Sequence, residues 1–144
     1  MITVIVFGNG NMAWHLCNAF NSCKNVSVVQ QYHHKKQDNK FKDFQIPFTN
    51  KLQHLKKADF YILAVSDDSI ANLSAGLPVF EGIVLHTSGA VSIDALHKKN
   101  RNGVFYPLQT LSKGRKIDYT EIPICLEAQN EEDLTLIKEL AGTI

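Results

Sequence analysis

Gly8, Gly10 and Ala13 have the spacing of a phosphate cradle, and the hexapeptide Gly8-Asn9-Gly10-Asn11-Met12-Ala13 follows directly on the apolar run 3–7 (TVIVF). A glycine at the first position permits a tight strand-to-helix turn. One at the second lets backbone approach a pyrophosphate with no Cβ in the way, and a small third residue lets the helix pack closely on the strand. The first amides of that helix, carrying its partial positive charge, would face the phosphates. Small residues also make ordinary turns, so context decides: here a strand pattern precedes the turn and a helical pattern follows it.

A second chemical signal stands at the tip of the next strand-like run, residues 26–32 (VSVVQQY). NAD sites place a carboxylate there, about 20 residues past the glycine turn, to hold the adenosine ribose. This chain reads His33-His34-Lys35-Lys36 instead, and its first carboxylate is Asp38. With no acid to repel a 2′-phosphate, lysine or protonated histidine would supply charge-assisted hydrogen bonds of about 1.5 to 3 kcal/mol. NADP(H) is therefore favoured over NAD(H), with His33, His34 and Lys35 as the phosphate set; the alternative is a solvated basic loop that touches no ligand. A preference carried by the histidines should fall as pH rises through roughly 6 to 8, leaving Lys35 the remainder. The missing acid also argues against an S-adenosylmethionine methyltransferase, and no GxxxxGK[ST] sequence supports a P-loop NTPase.

Two apolar runs, 60–65 and 83–86, end in polar residues, Ser66-Asp67-Asp68 and Thr87-Ser88-Gly89. Open parallel sheets bind ligands beyond the carboxyl ends of their strands, which puts Val65, Ser66 and Thr87 at the cofactor edge. His86, Ser88 and Gln109 are then the candidates for donating a proton or orienting a substrate during hydride transfer. A histidine that braces its own loop is the competing account of His86, and a structural loop role competes for Gln109 and Tyr106. Asp67 and Asp68 are explained by helix capping and the macrodipole. His15, His54 and His97 read as helix-surface residues, and no His/Cys/Asp grouping has the spacing of a metal site.

The elements that must position these residues follow from periodicity. Ala13, Leu16, Cys17 and Phe20 recur at helical spacing, with Trp14 off the stripe, and predict a helix from Asn11 that ends near Asn21 to Lys24. Strands are expected at 26–32, 45–48, 60–65, 83–86, 104–106 and 122–126, and helices at 52–57, 70–77 and 92–99. A last helix should be capped by Asn130, with Glu131, Glu132 and Asp133 in its first turn. Alternating strands and helices predict an α/β fold: a doubly wound, mostly parallel sheet with helices on both faces, as one domain over residues 1–144.

Composition bounds the reading. The 144 residues are 44% apolar and 20% charged, with no repeat and no apolar run long enough to span a bilayer, so a soluble protein without a membrane partner is expected. Met1 is followed at once by TVIVFGNG, leaving no room for a signal peptide and predicting a cytoplasmic protein. Cys17, Cys23 and Cys125 are odd in number and lack CxxC spacing, which fits reduced thiols. The net charge of +1 hides an asymmetry: residues 1–60 hold eight lysines against three acids, the remainder seven basic residues against eleven. The first half is the anion-binding half, but no aromatic residues interleave its lysines in a nucleic-acid reader motif, so no nucleic-acid partner is expected.

Taken together, GNGNMAWHL, AVSDDSI, HTSGA and FYPLQTLSKG resemble a largely uncharacterised family of bacterial proteins classed as NADP oxidoreductases, similar to pyrroline-5-carboxylate reductase and prephenate dehydrogenase. The resemblance implies a Rossmann-like N-terminal domain holding the cofactor. It also implies a C-terminal helical domain, expected to lie outside these 144 residues, that shares the site for a small-molecule metabolite and often forms a homodimer. Where relatives commonly carry Ser-Arg, this chain reads His33-His34. The competing classes are a dinucleotide-binding sensor or regulatory module without turnover and an interaction domain whose glycine turn binds nothing.

Overall fold

The computed structural model describes residues 1–108 and 122–144, so Gln109 and the basic loop 113–116 lie outside the described residues. The described residues form seven strands, β1 (Ile2–Phe7), β2 (Val26–Tyr32), β3 (Phe48–Thr49), β4 (Phe60–Leu63), β5 (Ile83–His86), β6 (Arg101–Pro107) and β7 (Ile124–Ala128). Among them are also three α-helices, α1 (Asn11–Asn21), α2 (Asp67–Gly76) and α3 (Glu131–Ala141), which pack against the strands. The strands form one sheet in the order β3-β2-β1-β4-β5-β6-β7, parallel throughout except for β7, which runs antiparallel to β6.

Alternation within each strand splits the core in two. Val4, Val6, Ile62, Leu85 and Phe105 point to one face, where Leu16 and Phe20 of α1 and Ile137 and Leu140 of α3 cover them. Ile5, Phe7, Tyr61, Leu63 and Val84 point to the other, under Ile70 of α2 together with Leu77 and Leu96. Because both faces are dry, the central strands read as unbroken apolar runs. This is the expected doubly wound, mostly parallel sheet with helices on both faces.

The chain leaves β1 through α1 towards β2 and β3, then returns to β4 on the other side of β1 and continues through α2 on the opposite face. The order therefore reverses at β1/β4, where a parallel sheet opens a crevice beyond its carboxyl ends. One irregularity bears on this edge. Val4 pairs with Val28 but Ile5 pairs with Gln30, so the β1–β2 ladder skips Val29. Beyond the skip Gln31 lies beside Val6 and Tyr32 beside Phe7, with the Tyr32 and Phe7 rings 5.2 Å apart.

Several expectations need correction. The helix expected over 92–99 is a single 3-10 turn, Ile93–Ala95, because side chains capture the groups an α-helix would use. The His97 amide donates to Ser74 Oγ at 2.6 Å, and Asn102 Nδ2 takes the Leu96 and His97 carbonyls at 3.4 and 3.1 Å. The third strand starts at Phe48 rather than Gln45, since Gln45 adopts a left-handed conformation (φ 57°) that ends the 3-10 turn Asn39–Phe44. The helix expected over 52–57 reduces to the turn Leu52–His54. His15 is buried at 1% exposure rather than on a helix surface, because residues 39–44 fold back over α1. Trp14 Nε1 donates to the Lys40 carbonyl at 3.1 Å, and its ring lies 5.7 Å from Phe44 and 5.0 Å from His15. His54 and His97 are exposed, as read, but His97 lies beyond the turn Ile93–Ala95 and not on a helix.

The cap of α3 is as expected, with Asn130 Oδ1 accepting from the Asp133 amide at 2.8 Å. Asp133 itself is buried and takes Arg101 Nη2 at 2.6 Å, tying α3 to β6. All three cysteines are free; burial pushes the thiol of Cys17 up to about 12. No helix among the described residues is long and apolar enough to cross a membrane.

Candidate functional site

A cleft of about 490 Å³ opens at the β1/β4 switch point, lined in part by Gly8, Asn9, Gly10, Asn11, Met12 and by Val65 and Ser66. Gly8 has φ 127°, a value that L side chains rarely adopt, and a Cβ there would collide with the carbonyl of Ala64. Gly10 is different: its backbone is extended (φ −84°, ψ −171°), and a Cβ built on it meets nothing within 4 Å. The space above Gly10 is open to a ligand. Ala13 is fully buried, and its Cβ would stand 3.3 Å from a Cβ at Gly8, so the helix sits close on the turn.

The start of α1 has no side-chain cap and no acid in its first turn. Its first intrahelical bond runs from the Trp14 amide to the Gly10 carbonyl at 3.0 Å, and the amides before it have no helical acceptor. Such an end attracts an anion. The opposite wall begins with α2, whose first turn carries the exposed Asp67 and Asp68, while Ser66 Oγ pairs with Ser69 Oγ at 2.8 Å. Ser66, Ser69 and Leu73 line the cleft on this side, while Asp67 and Asp68 do not, so the acid-free start of α1 is the end of the cleft suited to an anion. A larger hollow of about 810 Å³ lies at the amino ends of the strands, lined by Thr3, Asp59, Gly82 and Arg101, remote from any such helix end.

At the strand tip, His33 and His34 line the cleft with their ring centroids 4.4 Å apart and the planes tilted by 39°. His33 Nδ1 accepts the Lys35 amide at 3.2 Å, so the neutral ring carries its proton on Nε2. Burial, then the neighbouring His34 and Lys35, hold His33 below its ordinary value. Lys35 does not line the cleft; with Lys36, Gln37 and Asp38 it lines an adjoining hollow of about 340 Å³ that shares Asn9 and His33. Asp38 reaches this place although it lies 28 positions past Gly10. Its amide donates to Asn9 Oδ1 at 3.3 Å, and its carboxylate accepts from the Lys40 amide at 3.0 Å.

Neither His86 and Ser88 nor Thr87, expected at the cofactor edge, lines the cleft. His86 is fully buried, its Nδ1 accepting the Ser88 amide at 3.1 Å and its Nε2 lying 3.3 Å from the Ser92 carbonyl. Ser88 Oγ accepts from the Ala90 amide at 3.1 Å, and Thr87 is nearly buried. His86 therefore braces the loop after β5 as a neutral imidazole, with burial holding it below its ordinary value. Tyr106 packs against Gly89, where any Cβ would strike its ring, which closes the same loop from β6. Among the described residues no group of three or more His, Cys, Asp or Glu could hold a metal ion.

Residue typing missed Tyr32, Ser69 and Leu73 on the cleft wall. It also missed Gln31, which is wholly buried and donates to the Gly8 carbonyl at 2.8 Å and to Asn9 Oδ1 at 3.0 Å. The available signal was a polar pair, Gln30-Gln31, in a strand flanked on both sides, where buried amides must find partners.

Fold, switch point and glycine turn define a Rossmann-like domain of the NAD(P)-binding class. No protein-family model and no curated protein matches the chain. Among solved structures it superposes on a provisionally assigned NADP oxidoreductase of Bacteroides fragilis with a TM-score of 0.86 at 29% identity, covering 99% of this chain and 57% of that one. The 1-pyrroline-5-carboxylate reductase of Streptococcus pyogenes shares the fold (TM-score 0.75, 10% identity, 99% and 55% covered). So does the prephenate dehydrogenase of A. aeolicus solved with hydroxyphenyl propionate and NAD+ (TM-score 0.73, 16% identity, 99% and 57% covered). These likenesses agree with the resemblance read from the motifs, and the chain spans little more than half the length of each of these proteins.

Proposed function

We propose that this chain is the cofactor-binding part of an oxidoreductase that prefers NADP(H) to NAD(H) and moves a hydride to or from a small carbonyl, imine or related metabolite. The observation that carries the reading is the uncapped, acid-free start of α1 beside the open space at Gly10. Backbone of residues 8–13 would hold the pyrophosphate, Val65 and Ser66 the ribose or nicotinamide side, and His33, His34 and Lys35 the adenosine phosphate. The bound dinucleotide supplies or accepts the hydride; the chain binds and orients it. The preference for the phosphorylated form is supported by the basic run His33 to Lys36 at the end of β2, where the one nearby carboxylate, Asp38, accepts from the Lys40 amide. The name of the Bacteroides protein points the same way.

A substrate site shared with a helical domain, and a homodimer built through that domain, are the arrangement the resemblance implies, and a bacterial cytosol fits the three free thiols. One observation favours a second reading, a dinucleotide-binding module without turnover: both His86 nitrogens are engaged within their own loop. A proton-transfer role for His86 needs one of those bonds to open.

The test is thermal unfolding of the chain with NADPH, NADP+, NADH and NAD+ in parallel. At about 100 times its dissociation constant a ligand adds roughly 2.7 kcal/mol, on the order of 5 to 10 °C here. A shift with the phosphorylated pair alone is expected; no shift with any of the four overturns the reading.

A further inference from the structure

We propose that Gln31 is a positioning residue that sets the discrimination between phosphorylated and unphosphorylated dinucleotide, an inference that rests on the binding reading above. Lys35 and Lys36 are exposed and stand on a loop with few anchors of its own. What fixes that loop to the glycine turn is a set of side-chain amides centred on Gln31. Its Nε2 donates to the Gly8 carbonyl and to Asn9 Oδ1, and its Oε1 accepts from Gln37 Nε2 at 2.8 Å. Asn9 completes the connection, with Nδ2 donating to the Lys36 carbonyl at 3.1 Å while Oδ1 also accepts the Asp38 amide.

The amide orientations follow from the partners. The Asp38 backbone amide can only donate, so the atom of Asn9 facing it is oxygen. The Gly8 carbonyl can only accept, so the atom of Gln31 facing it is nitrogen. Reversing Gln31 would set its oxygen against two acceptors. The arrangement is saturated: both protons of the Gln31 amide and its oxygen are used, in a site without solvent exposure. The buried Gln31 amide thereby ties Gln37 to residues 8 and 9 and orients the Asn9 side chain, which in turn holds Lys36 and Asp38. It joins the part of the site that would hold the pyrophosphate to the part that would read the 2′-phosphate. The skipped residue Val29 is consistent with this role, since Gln31 shares the face of Val6 only beyond the skip.

The test compares dissociation constants for NADPH and NADH in the wild-type chain, Gln31→Met and Gln37→Leu, with thermal unfolding confirming that each variant is folded. Gln31→Met keeps length and loses every hydrogen bond. Gln37→Leu cuts only the loop leg, at a partly exposed site, and decides the matter if the buried variant does not fold. The expected result is a loss of NADPH affinity of about tenfold, the scale of one charge-assisted hydrogen bond, with NADH affinity within about twofold of wild type. Folded variants that keep the wild-type ratio overturn the inference. An equal loss for both ligands also overturns it, since Gln31 would then serve the glycine turn alone. Equal binding of NADPH and NADH by the wild-type chain overturns the phosphate preference and this inference together, whereas binding of neither overturns the dinucleotide reading itself.

Discussion

Gly8 and Gly10 look interchangeable in the motif, yet they carry different burdens. Gly8 is required by the fold, through its φ of 127° and the Ala64 carbonyl, and Gly8→Ala should cost about 1–3 kcal/mol of stability. Gly10 has an extended backbone that any residue adopts and free space around its missing Cβ. Gly10→Val should therefore unfold within about 1 kcal/mol of wild type while losing at least about tenfold in dinucleotide affinity, because the side chain fills the ligand's place. Calorimetric titration beside chemical denaturation separates the two effects, and a folded Gly10→Val protein with unchanged affinity would remove the cleft as the site. His33 also changes its expected role. His33 carries charge only below its folded value, which lies under the ordinary 6.5 or so. Its share of a phosphate preference is present at acid pH and lost as pH rises through that lower value. The NADPH-to-NADH affinity ratio should stay flat from about pH 7 to 8.5 and rise only below about 6.5, with Lys35 carrying the neutral-pH part. A ratio that instead drops steadily across that neutral range would return the preference to the histidines.

At the scale of elements, the loop after β5 is held by His86 from within and Tyr106 from outside, so titrating His86 bears on stability. Its folded value is depressed, meaning the unfolded chain binds the proton more readily. The contribution is complete above the unfolded value of about 6.5 and declines as pH falls below it. Denaturation of His86→Asn at pH 7.5 and 5 should show a variant less stable at the higher pH by about 1–3 kcal/mol but less sensitive to acid than wild type. Equal acid sensitivity in the two proteins would show that His86 is not among the groups responsible. Elements with a strong local pattern were legible: α1, β2, β5 and the capped α3 lie where periodicity and capping put them. The segment 92–99 was not, because Ser74 and Asn102 reach its backbone from elsewhere in the chain, and no local pattern carries that information.

For the molecule as a whole, the sheet and its winding were readable because both faces are dry, which makes the strands conspicuous apolar runs. The glycine turn was readable too, since its constraints are local to residues 8–13. The connection from Gln31 through Asn9 to the basic loop was not. Counting alternate residues along β2 from Val26 and Val28 assigns Gln30, not Gln31, to the face of α1, and only the unpaired Val29 corrects the count. That residue gives β2 one unit of slack. Pairing on either side of it is regular, so a chain lacking Val29 could keep the same partners for Val28 and Gln30 and leave the tip of the strand facing as it does now. A loss of one residue from a strand normally turns everything beyond it inside out; here the fold holds a spare position, and the carboxyl edge of the sheet is insulated from a single-codon deletion at that point.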